Sequence, residues 1–127
     1  MSLDVSVWIP DGDAYAGRDV VADPPGTSTG VGAEGLRHEL WGSAATRRLG
    51  ATFLPQLADI TDENRGNLQV PPGQLDAFEQ ECVRLAENAE HLSAATGYNA
   101  DRILHYLANV RHAVERAKAV HGGIIIW

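Results

Sequence analysis

Leu75-Asp76-Ala77-Phe78-Glu79-Gln80-Glu81-Cys82-Val83-Arg84-Leu85-Ala86-Glu87-Asn88-Ala89-Glu90-His91-Leu92 is the stretch on which the fold turns. Its apolar members Leu75, Phe78, Cys82, Leu85, Ala89 and Leu92 step by three, four, three, four and three. That is the one-sided stripe of an amphipathic helix, predicted over 73–95. Pro72 suits the first turn, where its missing N–H is not needed, and Asp76 and Glu79 sit at the positive end of the helix dipole. Gly97 is a natural left-handed stop. A second helix follows over 99–121, with the stripe Ile103, Tyr106 or Leu107, Val110, Val114 and Ala117. Asn99 can cap its start, and Gly122-Gly123 breaks it. The connection Thr96-Gly97-Tyr98 is short, so the two helices are antiparallel neighbours. Their charges are complementary: Asp76, Glu79, Glu81, Glu87 and Glu90 on the first face Arg102, Arg111, Arg116 and Lys118 on the second.

Outward from this hairpin the chain reads as strands and irregular packing. Leu3, Val5, Val7 and Ile9 alternate with Asp4, Ser6 and Trp8, the period of a half-buried strand over 3–9. Ile124-Ile125-Ile126-Trp127 is a continuous β-branched run, so residues 123–127 form a strand buried on both faces and central in its sheet. Residues 67–70 are a third, short strand, closed by Pro71-Pro72. Residues 33–49 are helical in two pieces. Leu36, Leu40 and Trp41 share a face, Gly42-Ser43 interrupts, and Ser43 caps the second piece, which Gly50 ends. Residues 53–60 pack irregularly around Pro55, and 61–66 are a polar turn. Residues 10–32 hold Pro10, Pro24, Pro25, five glycines and four aspartates without usable period, and read as a long acidic Gly/Pro-rich loop. The expectation is one α+β domain over 1–127, in the order β-α-β-α-α-β: a sheet of about three strands on the helix hairpin 74–95 and 100–121, closed by short N-terminal helices.

Composition narrows the function classes. The chain has 127 residues, is 44% hydrophobic and 21% charged, and carries a formal charge of −7. Those values suit a globular domain that needs no staple. Cys82 is the single cysteine, so no intramolecular disulfide forms, which points to a reducing, cytoplasmic setting. No leader-like N-terminus and no apolar run of ~20 residues is present. An acidic surface repels nucleic acid and anionic lipid, and a basic protein is its natural partner.

The candidate chemical motifs each have a plainer reading. Gly30-Val31-Gly32-Ala33-Glu34-Gly35 carries the letters of the dinucleotide fingerprint, but no strand is predicted before it and position 55 is a proline rather than an acid, so it reads as a flexible loop. Asp11, Asp13, Asp19 and Asp23 could gather around calcium, but their spacing fits no EF-hand. Cys82 lies on the apolar stripe and reads as core. His105 and His112 share a helix face yet stand roughly 10 Å apart along it, too far for one ion. His91 and His105 lie on the two helices of the hairpin within reach of a cross-hairpin pairing, but pairing with acids of the opposite helix is the plainer account. His38, Glu39 and Trp41 are the least unsatisfactory catalytic cluster. No catalytic residue, metal ligand or cofactor is assigned. Of the tryptophans, Trp41 and Trp127 read as core, while Trp8 is either covered by the long loop or part of a recognition patch.

Three segments carry a likeness to known proteins: Leu40-Trp41-Gly42-Ser43 with Leu49-Gly50-Ala51; Asn67-Leu68-Gln69-Val70-Pro71 opening a helix; and Gly122-Gly123-Ile124-Ile125-Ile126-Trp127. Together they resemble small acidic actinobacterial proteins without an assigned activity, over about half the chain. Some proteins of this size and acidity serve as immunity proteins for secreted bacterial toxins. The resemblance implies a fold family and tilts the function only slightly. The charge of −7, the acidic loop 11–23 and the lack of a convincing catalytic set point to a non-enzymatic binding module, in its sharpest form an immunity protein that occludes a basic toxin, with Asp11, Asp13, Asp19, Asp23 and Trp8 as the contact set. Two alternatives stand beside it. One is a small enzyme or ligand binder that uses residues 10–35 as a lid, with Gly30, Gly32 and His38 near the pocket. The other is a structural homo-oligomer that pairs through the tryptophan-bearing sheet face.

Overall fold

The computed structural model describes residues 2–10, 18–60 and 67–127, with residues 10, 18 and 19 described by backbone alone. The elements run β1 (Ser2–Pro10), β2 (Arg18–Val21), β3 (Gly30–Ala33), a π-helical turn (Arg37–Trp41), α1 (Ala44–Arg48), α2 (Gln56–Asp59), β4 (Leu68–Val70), a 3₁₀ turn (Pro72–Gln74), α3 (Leu75–Glu87), α4 (Ala89–Thr96), α5 (Ala100–Ala119) and β5 (Gly123–Ile126). The α+β class and the predicted strands at both ends are present. The sheet has five antiparallel strands rather than about three, in the order β2-β1-β5-β4, with β3 also on β1.

The two extra strands lie inside the segment expected to be a loop. β2 pairs Val7 with Val21 and Trp8 with Val20, and β3 pairs Ser2 with Ala33 and Leu3 with Gly32. Both run antiparallel to β1 along the same edge, so 18–33 is one pass beside β1, interrupted by an outward arch at 22–29. Arg-Asp-Val-Val and Gly-Val-Gly-Ala have weak strand composition. They become strands because β1 offers an unpaired row of N–H and C=O groups, a tertiary effect that propensity does not register. Gly30–Ala33 is therefore a strand, not the flexible Gly-rich loop the motif suggested.

β5 is central as expected, paired with β1 (Val7 to Ile124) and with β4 (Val70 to Ile124). Leu3, Val5, Val7, Ile124, Ile126, Leu68 and Val70 join the core on the helix side. On the opposite face Trp8 lies across Gly123, where any Cβ would overlap the indole. The Trp8 indole N–H donates to the Ile124 carbonyl at 3.1 Å, and Trp8 is only 6% exposed. Trp127 departs from its core reading. It is 45% exposed, because the last strand ends at Ile126 and only the Trp127 backbone still pairs, with Asp4.

α5 crosses β1, β3 and β5, and α3 and α4 pack on α5. All six stripe residues of 75–92 are buried, as are Ile103, Leu107, Val110, Val114 and Ala117. The expected single helix breaks at Asn88 into α3 and α4. Gly97 ends α4 with φ +82°, and Asn99 caps α5 by accepting the Arg102 N–H at 3.1 Å. Lys118 joins α5 to α3 through Asp76 (2.7 Å) and Glu79 (3.4 Å). Glu81 does not belong to that charged face. It is 3% exposed and accepts the backbone N–H groups of Thr52 (2.5 Å), Phe53 (3.0 Å) and Leu54 (2.9 Å).

Candidate functional site: the groove between the arch and helix α5

The arch 22–29 is pinned to α5 at both feet. At one foot the Arg116 guanidinium meets the Asp23 carboxylate at 3.3 Å. At the other the Asn109 amide donates to the Gly30 carbonyl at 2.8 Å. The arch stiffens itself where Thr27 turns back on the Pro24 carbonyl, through its N–H at 3.1 Å and its hydroxyl at 2.6 Å. Its end is tied to β1, with Thr29 accepting the Val5 N–H at 2.9 Å and donating to Asp4 at 3.0 Å. An open groove of about 660 Å³ lies between arch and helix. Thr27 and Ser28 form one wall; His105, Asn109, His112, Glu115 and Arg116 form the other.

Asn109 is the buried polar residue of this groove, at 3% exposure. Its Nδ2 donates to Gly30 and lies 3.5 Å from His105 Nε2. An amide nitrogen only donates, so His105 Nε2 is the acceptor of this contact in the tautomer that carries its proton on Nδ1. Asn109 Oδ1 accepts no hydrogen bond among the described residues and is the acceptor left at the groove. Beside the groove an apolar recess of about 240 Å³ is lined by Val7, Val21, Pro24, Ala119 and Val120.

The sequence-predicted contact residues fall in different places. Asp11 and Asp13 lie outside the described residues, and Asp19 is placed by its backbone only, opposite Ile9. Asp23 is exposed and engaged with Arg116, and Trp8 is buried against the sheet. Gly30 contributes only its carbonyl to the groove foot, and Gly32 and His38 do not line it. His38 is exposed on the π-helical turn. Glu39 accepts a hydrogen bond from the Tyr98 hydroxyl, and the Trp41 indole N–H donates to the Val31 carbonyl at 3.0 Å. His38, Glu39 and Trp41 therefore point to separate tasks. The hydrogen bond to Glu39 holds the Tyr98 phenol above its ordinary range. Burial, reinforced by the Glu81 carboxylate, pushes the Cys82 thiol far above its ordinary range, as a core residue requires. Among the described residues no three His, Cys, Asp or Glu side chains gather as a metal site would need.

The groove residues on α5 are visible in the sequence only as a spacing. His105, Asn109, His112 and Arg116 step by four, three and four, a polar stripe beside the apolar one. A polar stripe at helical spacing normally means a solvated face. The arch that half-covers this one comes from residues far away in the chain. Comparison with protein-family models, curated proteins and solved structures gives no match for this chain.

Proposed function

We propose that the protein is a non-enzymatic binding module for a basic protein, in its sharpest form an immunity protein that occludes a cognate bacterial toxin in the cytoplasm. The observation that carries this reading is the formal charge of −7. Arg37, Arg47, Arg116 and Lys118 are each neutralised by acids of this same chain, while Arg48, Arg84, Arg102 and Arg111 have no acid partner among the described residues. Glu87, Glu90, Asp101 and Glu115 stay exposed with no basic partner among the described residues. An excess of outward-facing negative charge speeds encounter with a basic surface and disfavours nucleic acid. The resemblance to small acidic actinobacterial proteins adds the toxin-immunity form.

The test is affinity purification of the tagged protein from its host, then titration of the recovered protein at two salt concentrations and co-expression with it in a heterologous cell. A stoichiometric basic partner that binds more weakly in high salt, and whose toxicity is relieved by co-expression, fits the reading. Recovery of no basic partner at stoichiometric yield overturns it.

One observation favours a second reading, a ligand-binding protein. An open groove with polar side chains in its walls lies under residues 26–28, inside the segment expected to act as a lid. A small molecule retained through native purification and released on unfolding would support that reading.

A further inference from the structure

The groove between the arch and α5 has a recognisable hydrogen-bonding preference. Asn109 has both its N–H groups directed, one to Gly30 and one towards His105, and keeps a free acceptor. Arg116 lines the groove, but its charge is met by Asp23. Glu115 lines it exposed and without a cationic partner among the described residues. Ser28 adds a hydroxyl, and Ala108 and Ala119 leave room between the larger side chains. Among its carboxylates and its guanidinium the groove keeps one uncompensated negative charge, that of Glu115. The two pinned feet hold the walls apart before anything binds, which reduces the ordering cost of binding.

We propose that this groove is a binding site for a guanidinium or ammonium group, supplied by an arginine or lysine side chain of the basic partner. The proposal rests on the binding-module reading for the source of that group, and on the groove alone for its chemistry. The Glu115 carboxylate meets the charge of the cation, with the Ser28 hydroxyl on the facing wall, while Asn109 Oδ1, six residues and roughly 9 Å back along α5, is a separate acceptor for the polar atoms that follow it. A charge-assisted hydrogen bond to a desolvated cation is stronger than a neutral one, which sets the preference over an uncharged side chain.

The test is an amide-resolved NMR titration of the intact, ¹⁵N-labelled protein with acetyl-arginine-amide, and in parallel with acetyl-glutamine-amide and acetyl-glutamate-amide. The expected result is saturable shifts at residues 26–28 and 105–116 with the arginine derivative alone. Glu115→Lys should weaken that binding about tenfold, the size expected for loss of one charged contact. Ala108→Trp, which fills the groove from an unstrained helix position, should abolish it. Both variants should keep the wild-type amide dispersion elsewhere. Shifts scattered over the exposed acids of α3 and α4, an equal response to glutamine, or a preference for glutamate would overturn the proposal. A captured basic partner separates the two levels. If its binding is indifferent to Glu115→Lys and Ala108→Trp, the groove is not its seat, although the binding-module reading survives. If the arginine derivative seats as expected but no basic partner exists, the site stands and the binding-module reading falls.

Discussion

Glu81 on α3 places its Oε2 2.9 Å from the amide nitrogen of Leu54, and its Oε1 caps Thr52 and Phe53 in the same way. One buried carboxylate thus satisfies three consecutive N–H groups just ahead of α2 and fixes the irregular stretch around Pro55 against the helix layer. Phe53 completes the joint by meeting Phe78 edge-on, with ring centroids 5.4 Å apart. Glu81→Ala would strand those donors and is expected to cost about 2–4 kcal/mol in denaturant unfolding. Glu81→Gln keeps an acceptor and should cost less. Equal losses for both, or no loss, would contradict a role for the carboxylate.

The Trp8 indole occupies the space a side chain at position 123 would need, so Gly123→Ala must displace the ring or the strand. The expected loss is about 1–3 kcal/mol by thermal or urea unfolding, with a change in tryptophan fluorescence as the Trp8 environment opens. Trp8→Phe in the Gly123→Ala background, which removes the bulk in conflict, should recover part of that loss.

Tyr98 holds its proton more tightly than a free tyrosine because its hydroxyl donates to Glu39. Ionising the phenol would break that bond and set two negative charges together. Ultraviolet titration of Glu39→Gln should therefore show one tyrosine transition moving to lower pH than in the wild type. If no transition moves, the pairing does not persist in solution.

The four aspartates between positions 11 and 23 should not behave as one set. Asp23→Lys would place two cations together at Arg116 and release a foot of the arch, so its effect on binding would mix structure with charge. Replacing Asp11, Asp13 and Asp19 by Lys while keeping Asp23 should slow association with a basic partner and flatten its salt dependence, with little change in melting temperature. Unchanged association kinetics would rule out a steering role for that segment.

What the sequence by itself determined was everything with a period or a local cap. The stripes of 75–92 and 103–117, the alternation of 3–9, the β-branched run before Trp127, the Ser43 and Asn99 caps and the Gly97 stop all appear where local physics puts them, because each is decided within one or two turns of the chain. Tertiary structure alone decided the rest. β2 and β3 exist because β1 has an edge to fill. Glu81 leaves the charged face because unpaired amides lie opposite it. Trp8 is covered because Gly123 sits beneath it, while Trp127 stays out because its strand has ended. The candidate site belongs to the same class: Asn109 and Arg116 reach Gly30 and Asp23 from across the chain, and no local pattern records a contact whose two halves are nearly eighty and more than ninety residues apart.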